Sequence, residues 1–506
     1  MLQFQVVNVS VEPKDTILIS RSANKGLFTD TRFNLVFKQK EEKISQIIKV
    51  DGLLEENQIG ISSWMMKKLG VRKGSEVILV TQSKSATNSY SLIKQKMIQP
   101  GYAYGKAEID EIISDITKEN LTPMESSVFV TSMHYQNWSV NEVEYLTRAM
   151  ANSGQKINWD NGIIFDKHSL GGVPGNKVSL LIVPIIAAAG LMIPKTSSRA
   201  ITSPSGTADT MEALGADIEF TIDEIVEITN KTKGLIAWTG GLNIVPADER
   251  IIRDVQFPLG LDPEPLMIAS VLSKKVAMGV KFLVLDIPTG IGTKVSNMET
   301  GRRLAHKFAE LGQSLGIIIE SGLTYGSSPV GHAIGPALEA KEALSALIDP
   351  LNASDSLIGK TTSLAGILLE MSGKALRGTG QDFAYDILTS GKAYTKFQEI
   401  LQAQNGDPNI KPEDIEVGTE VYDYLAPQNG YIVELNNKVL ASAARAAGAP
   451  IDKRAGIHFL RKKDSIKRGE VIFRVYASTE KRLDVAVAEL VKGHPVTIEG
   501  MLLARE

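Results

Sequence analysis

Gly162-Ile163-Ile164-Phe165-Asp166, then Lys167-His168-Ser169-Leu170-Gly171-Gly172-Val173-Pro174-Gly175-Asn176-Lys177, then VSLLIVPIIAAAG from Val178 to Gly190, is the stretch whose reading decides the fold. A short apolar run bounded by a glycine-rich segment reads as a buried strand, and the long apolar run after it reads as a helix. Strand, loop and helix in that order form half of a parallel α/β layer. The order recurs downstream. GLIAW at 234–238, KFLVLDI at 281–287 ahead of a helix from Met298 to Gly312, and GIIIESG at 316–322 continue it. Such alternation predicts an α/β domain over 156–245 and 278–417 whose ligand lies at the carboxyl ends of the strands, in the loops that follow them.

Working outward, residues 88–155 carry a helical period. Thr122-Pro123-Met124-Glu125 and Ser139-Val140-Asn141-Glu142 place a capping hydroxyl three residues before a glutamate, the signature of helix starts. Three or four packed helices are predicted, with Gly154 ending the last. The helical segment 246–277 interrupts the α/β alternation and is expected to return to this block. Residues 1–86 alternate apolar and polar positions (QFQVVNVSV, DTILISR, NLVFKQ, EVILVTQ) and predict a small β domain for assembly. After Asp407-Pro408-Asn409 the texture changes to YLAPQNGYIVELN, AGIHFL, EVIFRVYAS and VTIEG, which predicts an α+β domain over 418–506 with one amphipathic helix. The fold class is thus multidomain α/β: a small N-terminal β domain, a helical domain, a large α/β domain and a C-terminal α+β domain.

Composition excludes several functions. Lys and Arg number 55 against 58 Asp and Glu, so no global basic field draws in nucleic acid or an anionic membrane, and binding must be local. Cysteine is absent, which removes disulfides, thiolate metal sites, iron–sulfur clusters and a Cys nucleophile. The start MLQFQVVNVSVEPKD has no basic segment leading into an apolar run, and the run Val178 to Pro194 is broken by prolines and a glycine. A soluble, cytoplasmic protein is expected. The 43 glycines matter by placement, because they gather in middle-third loops where backbone amides can approach a ligand.

Four loops could carry chemistry. Asp166 to Lys177 aims its amides and a helix N-terminus at one point, which suits an anion, although such a turn can also be only a turn. It is no Walker A loop, since Asn176 rather than Lys follows Gly175. Lys195-Thr196-Ser197-Ser198-Arg199-Ala200-Ile201-Thr202-Ser203-Pro204-Ser205-Gly206-Thr207 offers hydroxyls, a guanidinium and a second helix N-terminus to phosphate or sugar oxygens; its bland reading is a polar surface loop. In the helical block 253–275, Asp262 before a proline reads either as a cap or as an acid, and Ser270 and Lys274 share one helix face. Pro288 to Lys294 follows KFLVLDI and brings Lys294 to the expected pocket. A further turn from Tyr325 to His332 precedes another helix and could line the same cleft, and of the histidines only His168 and His332 fall in such segments.

With these residues in hand, the chain resembles the thymidine phosphorylase superfamily, the pyrimidine-nucleoside phosphorylase type of fold, and most closely its archaeal-type AMP phosphorylase branch. DKHSLGGVPGNK, KTSSRAITSPSGTADTMEAL, SVNEVEYLTRAMANSG, SPVGHAIGPALEA and APQNGYI carry the resemblance over 88–506, and the N-terminal β domain points to that branch. The resemblance implies phosphorolysis by inorganic phosphate at C1′ of a nucleotide, giving ribose 1,5-bisphosphate and base from AMP, with CMP and UMP as further substrates. It assigns substrate contacts to Gly172, Ser198, Arg199, Ala200, Ile201, Thr202, Ser203, Thr207, Ser270 and Lys294, and makes Asp262 the general acid. No metal or cofactor is implied beyond phosphate as co-substrate, and a homodimer through the helical domain is. The alternative is thymidine or uridine phosphorolysis, because Arg253-Asp254-Val255, Ser270 and Lys274 keep a pyrimidine-binding pattern. A binding protein with a relic pocket is a third reading. Lys294 is assigned to the 5′-phosphate, since a point charge suits a terminal phosphate.

Overall fold

The strand Ile164–Ser169 pairs in parallel with Val280–Thr289, which pairs in parallel with Ile318–Tyr325. On the other side Phe165 donates its N–H to the Met192 carbonyl at 2.8 Å, which brings in Ile193–Ser197 and its parallel partner Gly234–Trp238. Every strand therefore ends toward the same edge. The strand does not stop at Asp166, as the sequence suggested. Lys167, His168 and Ser169 continue it because Val284, Leu285 and Asp286 offer a partner, and this delivers polar side chains to the sheet's carboxyl edge.

These are the contents of a computed structural model that describes residues 2–11, 15–23, 33–44, 46–81, 87–160, 162–200, 203–462 and 465–500. It divides into two compact units, Met1–Ser91 and Leu92–Glu506. In the second, helix Ser179–Ala188 is buried at every position from Ser179 to Ala187 and packs with Pro336–Ile348, Asp355–Met371, Gly380–Thr389 and Lys392–Ala403 into the main core. Helix Met298–Leu315 runs past Gly312 and stops where Gly316 turns left-handed at φ 76°. No described helix is long and apolar enough to cross a membrane.

Helices Lys106–Thr117, Pro123–Tyr135 and Val140–Ala151 form the helical layer, the last two opened by the capping boxes of Thr122 with Glu125 and Ser139 with Glu142. The segment 246–277 folds as Pro246–Ile251, a π-helical turn Ile252–Gln256, Phe257–Leu259 and Glu264–Ala277. It packs against that layer: the Ala247 N–H donates to Ser153 Oγ at 3.3 Å, and Arg250 pairs with Glu119. Gly154 lies after the helix end, where the chain passes the Asn243 and Ile244 carbonyls too closely for a side chain.

In the C-terminal region, Glu420–Leu425, Val471–Ala477 and Gly456–Phe459 form an antiparallel sheet that Ala333–Ile334 joins. Two helices cover this region, Asn437–Ala446 and Glu480–Gly493, not one. The first buries Leu440, Ala443 and Ala444 on one face. Among its described residues, the Met1–Ser91 unit forms a seven-stranded mixed sheet with one helix, Ser63–Leu69. Its two edges are Lys40–Ile44 and Gln46–Val50, in a stretch whose charges hide the alternation. Charge on an edge strand also discourages pairing with other chains.

Candidate active site

The strand-end loops leave a cleft of about 350 Å3. Its floor is built by the ends of two strands. Asp166, 1% exposed, holds the Lys275 ammonium at 2.5 Å and has that of Lys195 at 3.9 Å. Asp286, fully buried, accepts from Ser169 Oγ and Thr324 Oγ1, both at 2.6 Å, and pairs with Lys360 at 3.0 Å and Lys167 at 3.9 Å. A buried ammonium needs such a partner, because stripping its water costs several kcal/mol. Two carboxylates nevertheless serve four ammonium groups. Burial, reinforced by the neighbouring lysines, pushes Lys195 down to about 7 and Lys167 down to about 8. Burial and the same lysines keep the His168 imidazole well below its usual range, hence neutral. Burial also works against the charge on Asp286, but Lys360 and Lys167 overcome it and hold that carboxyl below its usual value. The excess positive charge is complementary to an anion.

The Gly loop and the Ser/Thr loop make the walls. Gly175 has φ +74°, and a Cβ there would lie 2.5 Å from the Val330 carbonyl oxygen and 2.6 Å from that of Ala333. That close approach seats Lys177, whose ammonium donates to Val330 O at 2.9 Å and pairs with Glu342 at 2.7 Å. Beside it Glu339, 4% exposed, lines the cleft. Opposite, Asp209 accepts the N–H groups of Ala200 at 2.8 Å and Gly206 at 3.0 Å, which folds the Ser/Thr loop back onto the N-terminus of helix Thr207–Ala213. Arg199 lines the cleft, but its guanidinium is bidentate to Glu212 at 2.6 and 3.2 Å and lies 5.0 Å from the Trp238 ring centroid.

The mouth is different in kind. Lys294 packs its stem over Gly171, whose φ is +91°, and its ammonium pairs with Asp262; the two side chains are 52% and 35% exposed. Gln256 Nε2 donates to the other Asp262 oxygen at 3.2 Å. On helix Glu264–Ala277, Lys274 donates to Ser270 Oγ at 3.2 Å and pairs at 2.5 Å with the fully buried Asp248. The π-helical turn carries Arg253 outward, where it forks onto Asp254 at 2.6 and 2.9 Å.

Of the residues singled out from the sequence, Gly172, Ser198, Arg199, Ala200, Ser203, Thr207 and Lys294 line this one cleft. Ser270 is tied to it through Lys274, and Asp262 through Lys294. Ile201 and Thr202 lie outside the described residues. Arg253 is not among the lining residues. Sequence reasoning quoted Lys167, Lys195 and Lys275 within the candidate segments but gave them no role, and it singled out neither Asp286 nor Glu339. The available signal was position: the first two, and Asp286, stand at the carboxyl ends of strands.

The helical bundle domain of the glycosyl transferase family matches residues 91–154, the a/b domain of that family 161–394, and the pyrimidine nucleoside phosphorylase C-terminal domain 431–496. AMP phosphorylase of Methanocaldococcus jannaschii is 43% identical over 100% of this chain and 99% of that protein. The chain belongs to the AMP phosphorylase family. Two further members of the AMP phosphorylase family, from Methanococcus vannielii and Thermococcus kodakarensis, are each 45% identical over 90% of this chain and over 88% and 90% of their own lengths. The fold reaches beyond the AMP phosphorylase family: anthranilate phosphoribosyltransferase of Thermus thermophilus, 18% identical, matches over 62% of this chain and 99% of that chain with a TM-score of 0.52.

Proposed function

We propose that this chain catalyses the reversible phosphorolysis of AMP to ribose 1,5-bisphosphate and adenine, with CMP and UMP as further substrates and inorganic phosphate as the only co-substrate. The observation that carries this reading is the 43% identity to an AMP phosphorylase over 99% of its length. The cleft supplies chemistry to match. Its ammonium-rich floor suits the attacking phosphate, and Lys294 at the mouth suits the 5′-phosphate. As phosphate bonds to C1′, the N-glycosidic electron pair leaves with the base, which takes a proton from Asp262. Gly172, the Ser198–Ser203 loop, Thr207 and Ser270 position the nucleotide. The reading includes a cytoplasmic enzyme that works as a homodimer or larger assembly.

Phosphorolysis of thymidine or uridine would draw on Arg253 with Ser270 and Lys274. Arg253 is 66% exposed and engaged by Asp254, which speaks for the nucleotide reading. A substrate panel tests it: phosphate-dependent release of base is expected from AMP in preference to adenosine, thymidine and uridine. Release from thymidine or uridine alone would replace this reading with the alternative.

A further inference from the structure

One carboxyl in the cleft wall has no part in the reaction described above. Glu339 stands in the first turn of helix Pro336–Ile348, 4% exposed, with its Oε1 accepting the Gly335 N–H at 3.1 Å. The charged groups facing it come from three elements: Lys177 of the Gly loop, Asp209 of helix Thr207–Ala213, and Glu342 on its own helix. Lys177 is engaged by Glu342 at 2.7 Å, and Asp209 by two backbone N–H groups. Among the described residues, no ammonium or guanidinium forms an ion pair with Glu339 itself. Burial accordingly pushes its carboxyl up to about 7. The cleft thus carries, in its wall beside Lys177, one acid group that holds or releases a proton near neutrality.

An anion and a carboxylate can share such a site only with a proton between them. Inorganic phosphate brings an O–H of its own at neutral pH, whereas sulfate brings none. We propose that Glu339 shares a single proton with the bound inorganic phosphate and thereby selects phosphate over fully ionised tetrahedral anions such as sulfate. The proposal rests on the phosphorolysis reading only in taking phosphate as the cleft's anion. With the carboxyl protonated, Glu339 donates to either anion. With it ionised, only an anion that has an O–H can donate to it, and sulfate meets a like charge. A site built to bond a ligand hydroxyl discriminates strongly against an analogue that lacks it, because the buried group is then left unpaired. The proton stays in the hydrogen bond, and no other bond is made or broken.

The test compares sulfate with phosphate on the full chain between pH 6 and 8.5. Lys195 and Lys167 lose charge in the same range, but they weaken both anions alike, and inorganic phosphate itself titrates in this window, so the ratio of the sulfate inhibition constant to the phosphate KM, with the KM counted on the phosphate dianion at each pH, isolates Glu339. That ratio is expected to rise by about tenfold per pH unit above pH 7. In Glu339→Gln the amide donates at every pH, so the ratio should become independent of pH. A flat ratio in the unsubstituted protein overturns the proposal, and so does a Glu339→Gln protein that keeps the slope. If the substituted protein does not fold, the first measurement still decides. A chain that releases base from no nucleotide refutes the phosphorolysis reading alone. Calorimetric affinities for the two anions then give the same ratio, and the absence of any phosphate binding overturns the proposal too.

Discussion

The floor and the mouth of the cleft both pair carboxylates with lysines, yet they do so in opposite surroundings. At the floor, Asp166 and Asp286 are 1% and 0% exposed and hold four lysines from separate strands and helices. At the mouth, Asp262 and Lys294 hold each other with 35% and 52% of their side chains in water. Attraction between charges is several-fold stronger away from water, while an exposed pair contributes only about 0–1 kcal/mol. The floor is therefore fixed before any ligand arrives. The mouth is free to exchange: Lys294 can leave a carboxylate for a phosphate at little cost.

The largest expected effect comes from breaking the floor. Asp286→Ala strands Lys360 and Lys167 and should lower the unfolding free energy by about 3–5 kcal/mol in a urea titration; a loss near that of an exposed pair would erase the distinction. Asp262→Asn should do the reverse, changing stability by less than about 1 kcal/mol while cutting turnover about a hundredfold with AMP binding retained. Unchanged turnover would remove Asp262 from the mechanism. A smaller effect follows from pH. Lys195 is charged below about 7 and loses its proton as pH rises through that value, so the KM for phosphate, counted on its dianion because inorganic phosphate itself titrates in this window, should rise by up to about tenfold between pH 6.5 and 8.5. Lys195→Arg keeps its charge and should flatten most of that rise, leaving the part due to Lys167 near pH 8. A KM that falls over this window would show that the floor is not what attracts phosphate. Smallest of all, Arg253→Ala should alter AMP phosphorolysis by no more than about twofold, as surface substitutions do. A large loss would mean that the π-helical turn opens to bring Arg253 to the base.

Much of this layout is legible in one dimension because it is local. A strand, a glycine-rich loop and a helix at 162–190 declare themselves by adjacent residues, and so do the capping boxes at Thr122 and Ser139. The Gly and Ser/Thr loops could be picked out for the same reason. The floor could not. Asp286 stands at the end of a quoted strand, but Ser169, Thr324 and Lys360 reach it from far along the chain. Whether a lysine is buried depends on what covers it, and Lys195 or Lys275 reads like any solvated cation in the sequence. The π-helical turn was equally hidden, since a single wide turn leaves no apolar period of its own.

The turn from Ser328 to Gly335 has a bearing on how this chain can be divided. Val330 receives Lys177 from the Gly loop, while His332 O accepts the Phe459 N–H at 2.7 Å and Ala333 pairs with His458. Lys462 donates to the carbonyls of Pro329 and Gly331, and Ala337 donates to Lys453 O. One face of the turn thus braces a cleft wall and the other is a strand of the C-terminal sheet. The C-terminal region is not a detachable appendage, and a truncation before residue 418 would leave the Gly loop leaning on a turn that has lost its own support.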